Sequence, residues 1–385
     1  MKTNRFCVKI DFVKVFSAVK YKLTKKHVFL IFKTEKPKNQ GAKSNMQLNP
    51  IFKNGVIFPA DRAIRVFGES GEDVKITFLN QTKHCSPENG KFLIEFPPQG
   101  YGGPYFMTIE SGNEKIVIED IYVGIVLFMC GQSNMMFKIK EETDCENDFA
   151  SDDLLRMHVC DHIIFFDGEL ERFRSSDGWL KCRKSEVGDW SAIAYRVGAE
   201  LRKKLGVAVG LVCAYQGASV IESWLPDYAV NDPSVIIDEQ KKHFDHHYEF
   251  YRLWNENSRL YNFVIKQIIP FSLSATVWYQ GESDTTEEEG KIYDKELELF
   301  ALSLRKGFKN AEMPFVVVQI ADLDCRNDDG WRAIQNAQER AVKNLKNAYL
   351  VVSKDVCDTF TIHPPEKKLL ADRISETLNK ILQNK

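Results

Sequence analysis

The sequence predicts an α/β protein with a parallel sheet, preceded by a small antiparallel β-sandwich. Three observations predict it. From Met46 to Asp120, short β-rich runs alternate with turn signals, and no helix-period pattern interrupts them. After Ile121, apolar runs alternate with helical patterns, as βα units around a parallel sheet require. Three of those later runs end in Gly beside polar residues: "GQSN" (Gly131 to Asn134), "QGAS" (Gln216 to Ser219) and "QGESD" (Gln280 to Asp284).

The β-rich segment, residues 46–120, contains "AIRVFGE", "VKITFLNQ", "KFLIEFP", "YFMTIES" and "KIVIED", separated by "SGED", "SPENG", "PQGYGG" and "SGNE". In the second unit, residues 121–385, strands are expected at 125–130, 207–215, 274–279, 314–320 and 348–353. A helix is expected after the cap candidate Ser191, with Ile193, Val197, Leu201 and Leu205 on one face and Gly206 as terminator. Others are expected near 256–268, 287–305, 331–346 and 366–383. The run "TTEEEGK" (Thr285 to Lys291) reads as an acid-rich helix start, which the helix dipole favours.

Composition narrows the functional classes. A net charge of -2, from 52 basic and 54 acidic residues among 385, gives no global attraction for nucleic acid or an anionic membrane. The balance conceals an asymmetry: residues 1–45 carry 12 Lys and Arg against two acids, a net +10, so the remainder carries -12. That basic extension is foreign to the body, and its reading stays open between a disordered segment and an artefact of the gene model. Its apolar run "HVFLIF" falls short of the ~18 residues a membrane span needs, and no charge-free stretch suits a secretory signal. Nine scattered cysteines with no CxxC pair disfavour zinc ribbons and thioredoxin chemistry. Reduced thiols in the cytoplasm are the default expectation, and the sequon at Asn80 leaves secretion open.

In open α/β sheets, ligands bind beyond the carboxyl ends of the strands, which is where the Gly-containing clusters fall. A Ser hydroxyl is a poor nucleophile until a base takes its proton, and His suits that task near neutral pH. Ser133 ends one strand, and His363, the only histidine in the carboxyl-terminal third, lies in "DTFTIHPPEKK" before the final helix. A tetrahedral oxyanion needs donors fixed in advance. The amides near Gly217 and the Gln280 side chain fit that role.

Four blocks in this order, "GQSNM", "GASVIESW", "VWYQGESD" and "IHP..K", resemble the sialate O-acetylesterase family of the SGNH hydrolase superfamily. "GGPYFMTI" and "IEDIYVGIV" also resemble the family's amino-terminal β-domain, so the resemblance runs from about Met46 to the carboxyl terminus. It implies a flavodoxin-like three-layer α/β/α hydrolase domain, no metal or other cofactor, and removal of O-acetyl groups from sugars, typically position 9 of sialic acids. Carried over by position, Ser133 is the nucleophile and His363 the base. The Ser133 amide, the Gly217 amide (or that of Ala218) and the Gln280 side chain form the oxyanion hole, and Gln132, Asn134 and Glu282 support the site. The partner is an O-acetylated glycan, and a lysosomal or secreted location is the family alternative.

One position departs from the pattern. SGNH enzymes usually place Asp three residues before His, where this chain has Phe360. Asp358, with Asp355 as rival, is the nearest candidate triad acid; Glu282 or a backbone carbonyl are the other candidates to orient the imidazole. Rival functions are an esterase for another acetylated polysaccharide and a degenerate, glycan-binding relative. Among aromatic residues, Trp224 is a candidate to stack on a sugar ring, whereas Trp278 lies inside an apolar strand and reads as core. The "HFDHH" cluster (His243 to His247) has His pairs at helical spacing, yet nothing completes a ligand set, and a solvated segment is the expectation.

Overall fold

The computed structural model describes residues 46–383 except 61, 144, 161, 167–168, 174–177, 243–251 and 327. The basic extension and the "HFDHH" cluster lie outside the described residues. In chain order the amino-terminal strands are β1 (Met46–Leu48), β2 (Ile57–Pro59), β3 (Ile64–Ser70), β4 (Val74–Phe78), β5 (Gln81–Cys85), β6 (Lys91–Phe96) and β7 (Gly102–Ser111). The long β8 (Glu114–Gly131) follows, then β9 (Asp152–Val159), the hairpin β10 (His162–Phe166) and β11 (Glu169–Phe173), and β12 (Leu180–Cys182). The remainder are β13 (Val209–Tyr215), β14 (Ala275–Tyr279), β15 (Phe315–Val318) and β16 (Ala348–Val351).

Strands β1, β3 and β6 form a separate antiparallel sheet, and β4 pairs antiparallel with β5 and β7. The inward residues of the two layers, among them Val66, Phe92 and Ile94 on one and Ile76, Phe78 and Ile109 on the other, are buried in a shared core. Strand β8 links this region to the rest. Its first half pairs antiparallel with β7, and its second half, Ile125–Gly131, pairs parallel with β13 and β14. The strand passes position 120 without a break, but Asp120 takes a positive φ of 58°. The buried Arg156 guanidinium donates to the Asp120 carbonyl at 2.7 Å and carboxylate at 3.0 Å, which fixes that kink.

The parallel sheet runs β9-β13-β8-β14-β15-β16, with β12 antiparallel on its edge. Alternate residues of β8 enter opposite cores: Ile125, Leu127 and Met129 on one face, Val126, Phe128 and Cys130 on the other. A near-continuous apolar run is therefore what this strand needs, because helices cover both faces. On one face lie α2 (Ala192–Leu205) and α6 (Lys368–Gln383), which pack on each other; on the other lie α4 (Glu287–Gly307) and α5 (Asp329–Asn344). Among the short helices are α1 (Ser133–Met136) and α3 (Ile221–Trp224).

Local signals explain the helix ends. Ser191 Oγ accepts from the Ala194 amide and donates to the Met135 carbonyl at 2.6 Å, and Gly206 closes α2 at φ 69°. Thr286 and Glu289 form a capping box at the start of α4, and Glu287 to Glu289 occupy its first turn. The helix expected near 256–268 is present over 259–268, with a π-helical turn at Tyr261–Ile265 set between α-helical residues. Among the described residues no helix is long and apolar enough to cross a membrane.

Candidate active site

The three Gly-containing loops begin side by side. In the ladders of the parallel sheet, Gly131 is opposite both Tyr215 and Tyr279, so β8, β13 and β14 end at one level. Strand β8 lies between the other two, with chain connections leaving on either side, the position at which open α/β sheets form a crevice. The Gln132 amide donates to the Tyr279 carbonyl and the Gln216 amide to the Gly131 carbonyl, both at 3.0 Å. Gly131 is required here: its φ is +147°, and a Cβ would stand 2.0 Å from the Tyr279 carbonyl oxygen.

Ser133 follows as the first residue of α1. Its Oγ lies 2.8 Å from His363 Nε2, although 230 residues separate them. Burial, assisted by the nearby charge of Lys367, takes the His363 pKa down from 6.5 to about 4. The imidazole is therefore neutral at neutral pH and can accept the hydroxyl proton. Gly217 also lies against Ser133, since a Cβ added there would be 4.0 Å from Ser133 Cβ and 3.4 Å from Met136 Cε. The Ser133 N–H, at the start of a helix, has no intrahelical acceptor to claim it.

Behind Ser133 the loops interlock. Gln132 accepts from the Gly281 amide at 3.2 Å and reaches Ser283 Oγ at 3.4 Å. Asn134 donates to Glu282 Oε1 at 2.5 Å and to the Ile362 carbonyl at 2.9 Å, while its Oδ1 accepts from Lys367 Nζ at 2.6 Å. Burial pushes the Glu282 carboxyl above its ordinary range, partly opposed by the Asn134 hydrogen bond. Burial likewise takes Lys367 down to about 8.

Three of the expected roles need correction. The Gln280 side chain is fully buried and turned inward: Nε2 donates to the Ser219 carbonyl at 2.8 Å and to Asp284 Oδ2, and Oε1 accepts from Tyr293 Oη at 2.8 Å. Both of its N–H groups are committed, so it has none for an oxyanion. Trp224 is fully buried, donates to Ser219 Oγ at 3.0 Å and packs edge-on against Trp278; it belongs to the core and offers no face to a sugar. Neither candidate triad acid hydrogen-bonds the imidazole. Asp358 Oδ1 instead accepts from the amides of Phe360 and Thr361, at 2.9 and 3.3 Å. Asp355 makes a bidentate pair with Arg373, which holds its carboxyl down at about 2.

Sequence reasoning assigned no role to two residues. Asp284, the last letter of "QGESD", accepts from the Ile221 amide at 3.0 Å as well as from Gln280, so it ties the loop after β14 to α3. Burial, with the charges of Glu222 and Glu289, pushes its pKa well up. Lys367, the last letter of "IHP..K", is fully buried. Its signal was a cation four residues after the candidate base.

A family model described as carbohydrate esterase, sialic acid-specific acetylesterase, matches residues 123–369. The chain belongs to this family. The matched span begins within β8 and includes every strand of the parallel sheet, as well as Ser133, Gly217 and His363. The human sialate O-acetylesterase is 25% identical over 354 residues, which cover 82% of this chain and 66% of that protein. The mouse sialate O-acetylesterase is 23% identical over 374 residues, covering 82% of this chain and 69% of that one. The chain thus spans about two thirds of the length of these relatives. A solved carbohydrate acetylesterase from Xanthomonas citri superposes with a TM-score of 0.74 at 21% identity, covering 88% of this chain and 76% of that one. That likeness bears out the predicted α/β architecture with its separate amino-terminal sheet.

Proposed function

We propose that this protein is a serine esterase that removes O-acetyl groups from sugars, with 9-O-acetylated sialic acids as the leading substrate class. The observation that carries the reading is the 2.8 Å approach of Ser133 Oγ to a neutral His363 Nε2 at the carboxyl edge of the sheet. Membership of a sialic acid-specific esterase family supports the substrate class.

In the first half-reaction Ser133 Oγ attacks the acetyl carbonyl carbon while His363 Nε2 takes the hydroxyl proton. The carbonyl electron pair moves onto oxygen, where the Ser133 and Gly217 N–H groups stabilise the developing charge. Collapse breaks the bond to the sugar oxygen, and the imidazolium returns its proton to that oxygen. Water then attacks the acetyl-serine ester with His363 again as base; collapse releases acetate and restores the serine hydroxyl.

The test is acetate release from 9-O-acetylated sialic acid by the wild type and by Ser133→Ala. Turnover that drops by roughly 10⁴-fold or more in the variant supports the reading. Turnover confined to acetylated plant or bacterial polysaccharides keeps the chemistry and replaces the substrate. Glycan binding without turnover, unchanged by Ser133→Ala, would establish the degenerate binding relative instead.

A further inference from the structure

The candidate base stands without a carboxylate, since no described residue hydrogen-bonds His363 Nδ1. What fixes its loop lies on the other side of the nucleophile. Asn134, next in sequence to Ser133, grips the Ile362 carbonyl at 2.9 Å, and that peptide leads directly into His363. The amide orientation of Asn134 is dictated chemically. Lys367 can only donate, so Oδ1 must face it, and Nδ2 must then face the two acceptors, Glu282 Oε1 and the Ile362 carbonyl. Reversing the amide would break all three bonds.

Lys367 is an expensive residue to place here. It is fully buried, sits 5.1 Å from the Phe137 ring and 5.7 Å from the Tyr279 ring, and makes its hydrogen bond to Asn134 alone among the described residues. Glu282, Glu142, Asp358 and the Cys357 thiol face it and favour its charge, yet burial outweighs them. A packing role alone would be served better by an uncharged side chain of similar shape.

Resting on the esterase reading above, we infer that Lys367 and Asn134 form a positioning device for the base. Asn134 clasps the Ile362 carbonyl so that His363 meets Ser133, while Lys367 locks the Asn134 amide and presents a positive charge to the imidazole. The sign of this device is opposite to that of a Ser-His-Asp triad. A triad carboxylate stabilises the imidazolium, whereas a buried ammonium disfavours it and keeps His363 ready to accept a proton at lower pH. Among the charged groups of the described residues, Lys367 is the one that acts on His363, and it acts in the same direction as burial.

The test follows the His363 ring by NMR titration in the wild type, Lys367→Met and Lys367→Arg, with kcat/KM and thermal melting measured on the same samples. The wild-type midpoint is expected near 4, the Lys367→Met midpoint moves up but stays below 6.5 because burial remains, and Lys367→Arg keeps it low. Asn134→Ala, which removes the clasp but leaves the charge, keeps the low midpoint and loses about 10²-fold in kcat/KM through misplacement of the base. A purely structural Lys367 would lower the melting temperature without moving the midpoint. An unmoved midpoint in folded Lys367→Met, or a wild-type midpoint near 6.5, overturns the inference; should that variant not fold, Lys367→Gln, which also removes the charge, is titrated in its place. The titration needs no turnover, so an inactive wild type with these shifts refutes the esterase reading alone. An active wild type without them refutes this inference alone.

Discussion

The two sides of the candidate dyad are held very differently. The nucleophile side is anchored by the sheet: Gly131 lies in register with Tyr215 and Tyr279, and the loops after β8 and β14 are buried and bonded to each other through Gln132, Asn134 and Glu282. The base side is a half-buried loop after β16 whose bonds are largely local, Asp358 to its own neighbours and the His363 amide to Thr361 Oγ1 at 3.3 Å. Asn134 links the two sides, through its clasp on the Ile362 carbonyl and the hydrogen bond it accepts from Lys367. The candidate nucleophile is therefore placed by the fold as a whole, whereas the candidate base is placed by a few replaceable contacts. Substitutions on the two sides should accordingly fail in different ways.

On the nucleophile side the failures should be of stability. Gly131→Ala is expected to have the largest effect, because it drives a Cβ into the Tyr279 carbonyl at a φ of +147°. A loss of about 3 kcal/mol or more should appear in chemical denaturation, or as failure to recover soluble protein. Gln280→Ala strips partners from Asp284, Tyr293 and the Ser219 carbonyl, and should cost about 3 kcal/mol. Its kcat/KM, measured well below the melting temperature, should fall less than tenfold. A loss of ~10²- to 10³-fold without destabilisation would restore Gln280 as an oxyanion donor.

On the base side the readouts should be kinetic. With His363 lowered to about 4, the acid limb of kcat/KM should lie near 4 and not near 6.5. The same shift acts on stability. The unfolded chain binds the proton between about 4 and 6.5 and the folded chain does not, so the contribution is present above 6.5 and is lost as pH falls through 4. Denaturation midpoints at pH 7 and pH 5 check the sign. The smallest effects should come from Asp358→Asn and Asp355→Asn, which leave kcat/KM within a few-fold. A triad acid would cost ~10⁴ in rate, so a loss of that size in either variant would restore it to that role.

Sequence legibility followed the same division. The parallel strands, the Ser191 cap, the acid-rich helix start at Thr285 to Lys291 and the Gly206 stop could be read because periodicity and end chemistry are local properties. Ser133 and His363 could be read because a strand-to-Gly-to-hydroxyl junction and a lone His before a final helix also leave local marks. Gln280 was misread because its place after β14 says where the chain goes, while Tyr293, Ser219 and Asp284 decide where its amide points. Trp224 failed for a similar reason, since one helical turn directs it at Trp278. The continuity of β8 was hidden because the change of pattern after Ile121 set a boundary between units there; the positive φ at Asp120, held by Arg156 from β9, bends the strand without ending it. Lys367 carried a visible charge, but its value depends on burial, which spacing does not report.

The most direct test of the central claim is to trap the covalent intermediate. The protein is mixed with an activated acetyl ester, quenched in acid within the first turnover, digested and analysed by mass spectrometry. The account predicts one acetyl group on the peptide containing Ser133, absent from Ser133→Ala and accumulating only weakly in His363→Ala. Acetate release by the wild type with no acetylation at Ser133, or with equal release by Ser133→Ala, would contradict it.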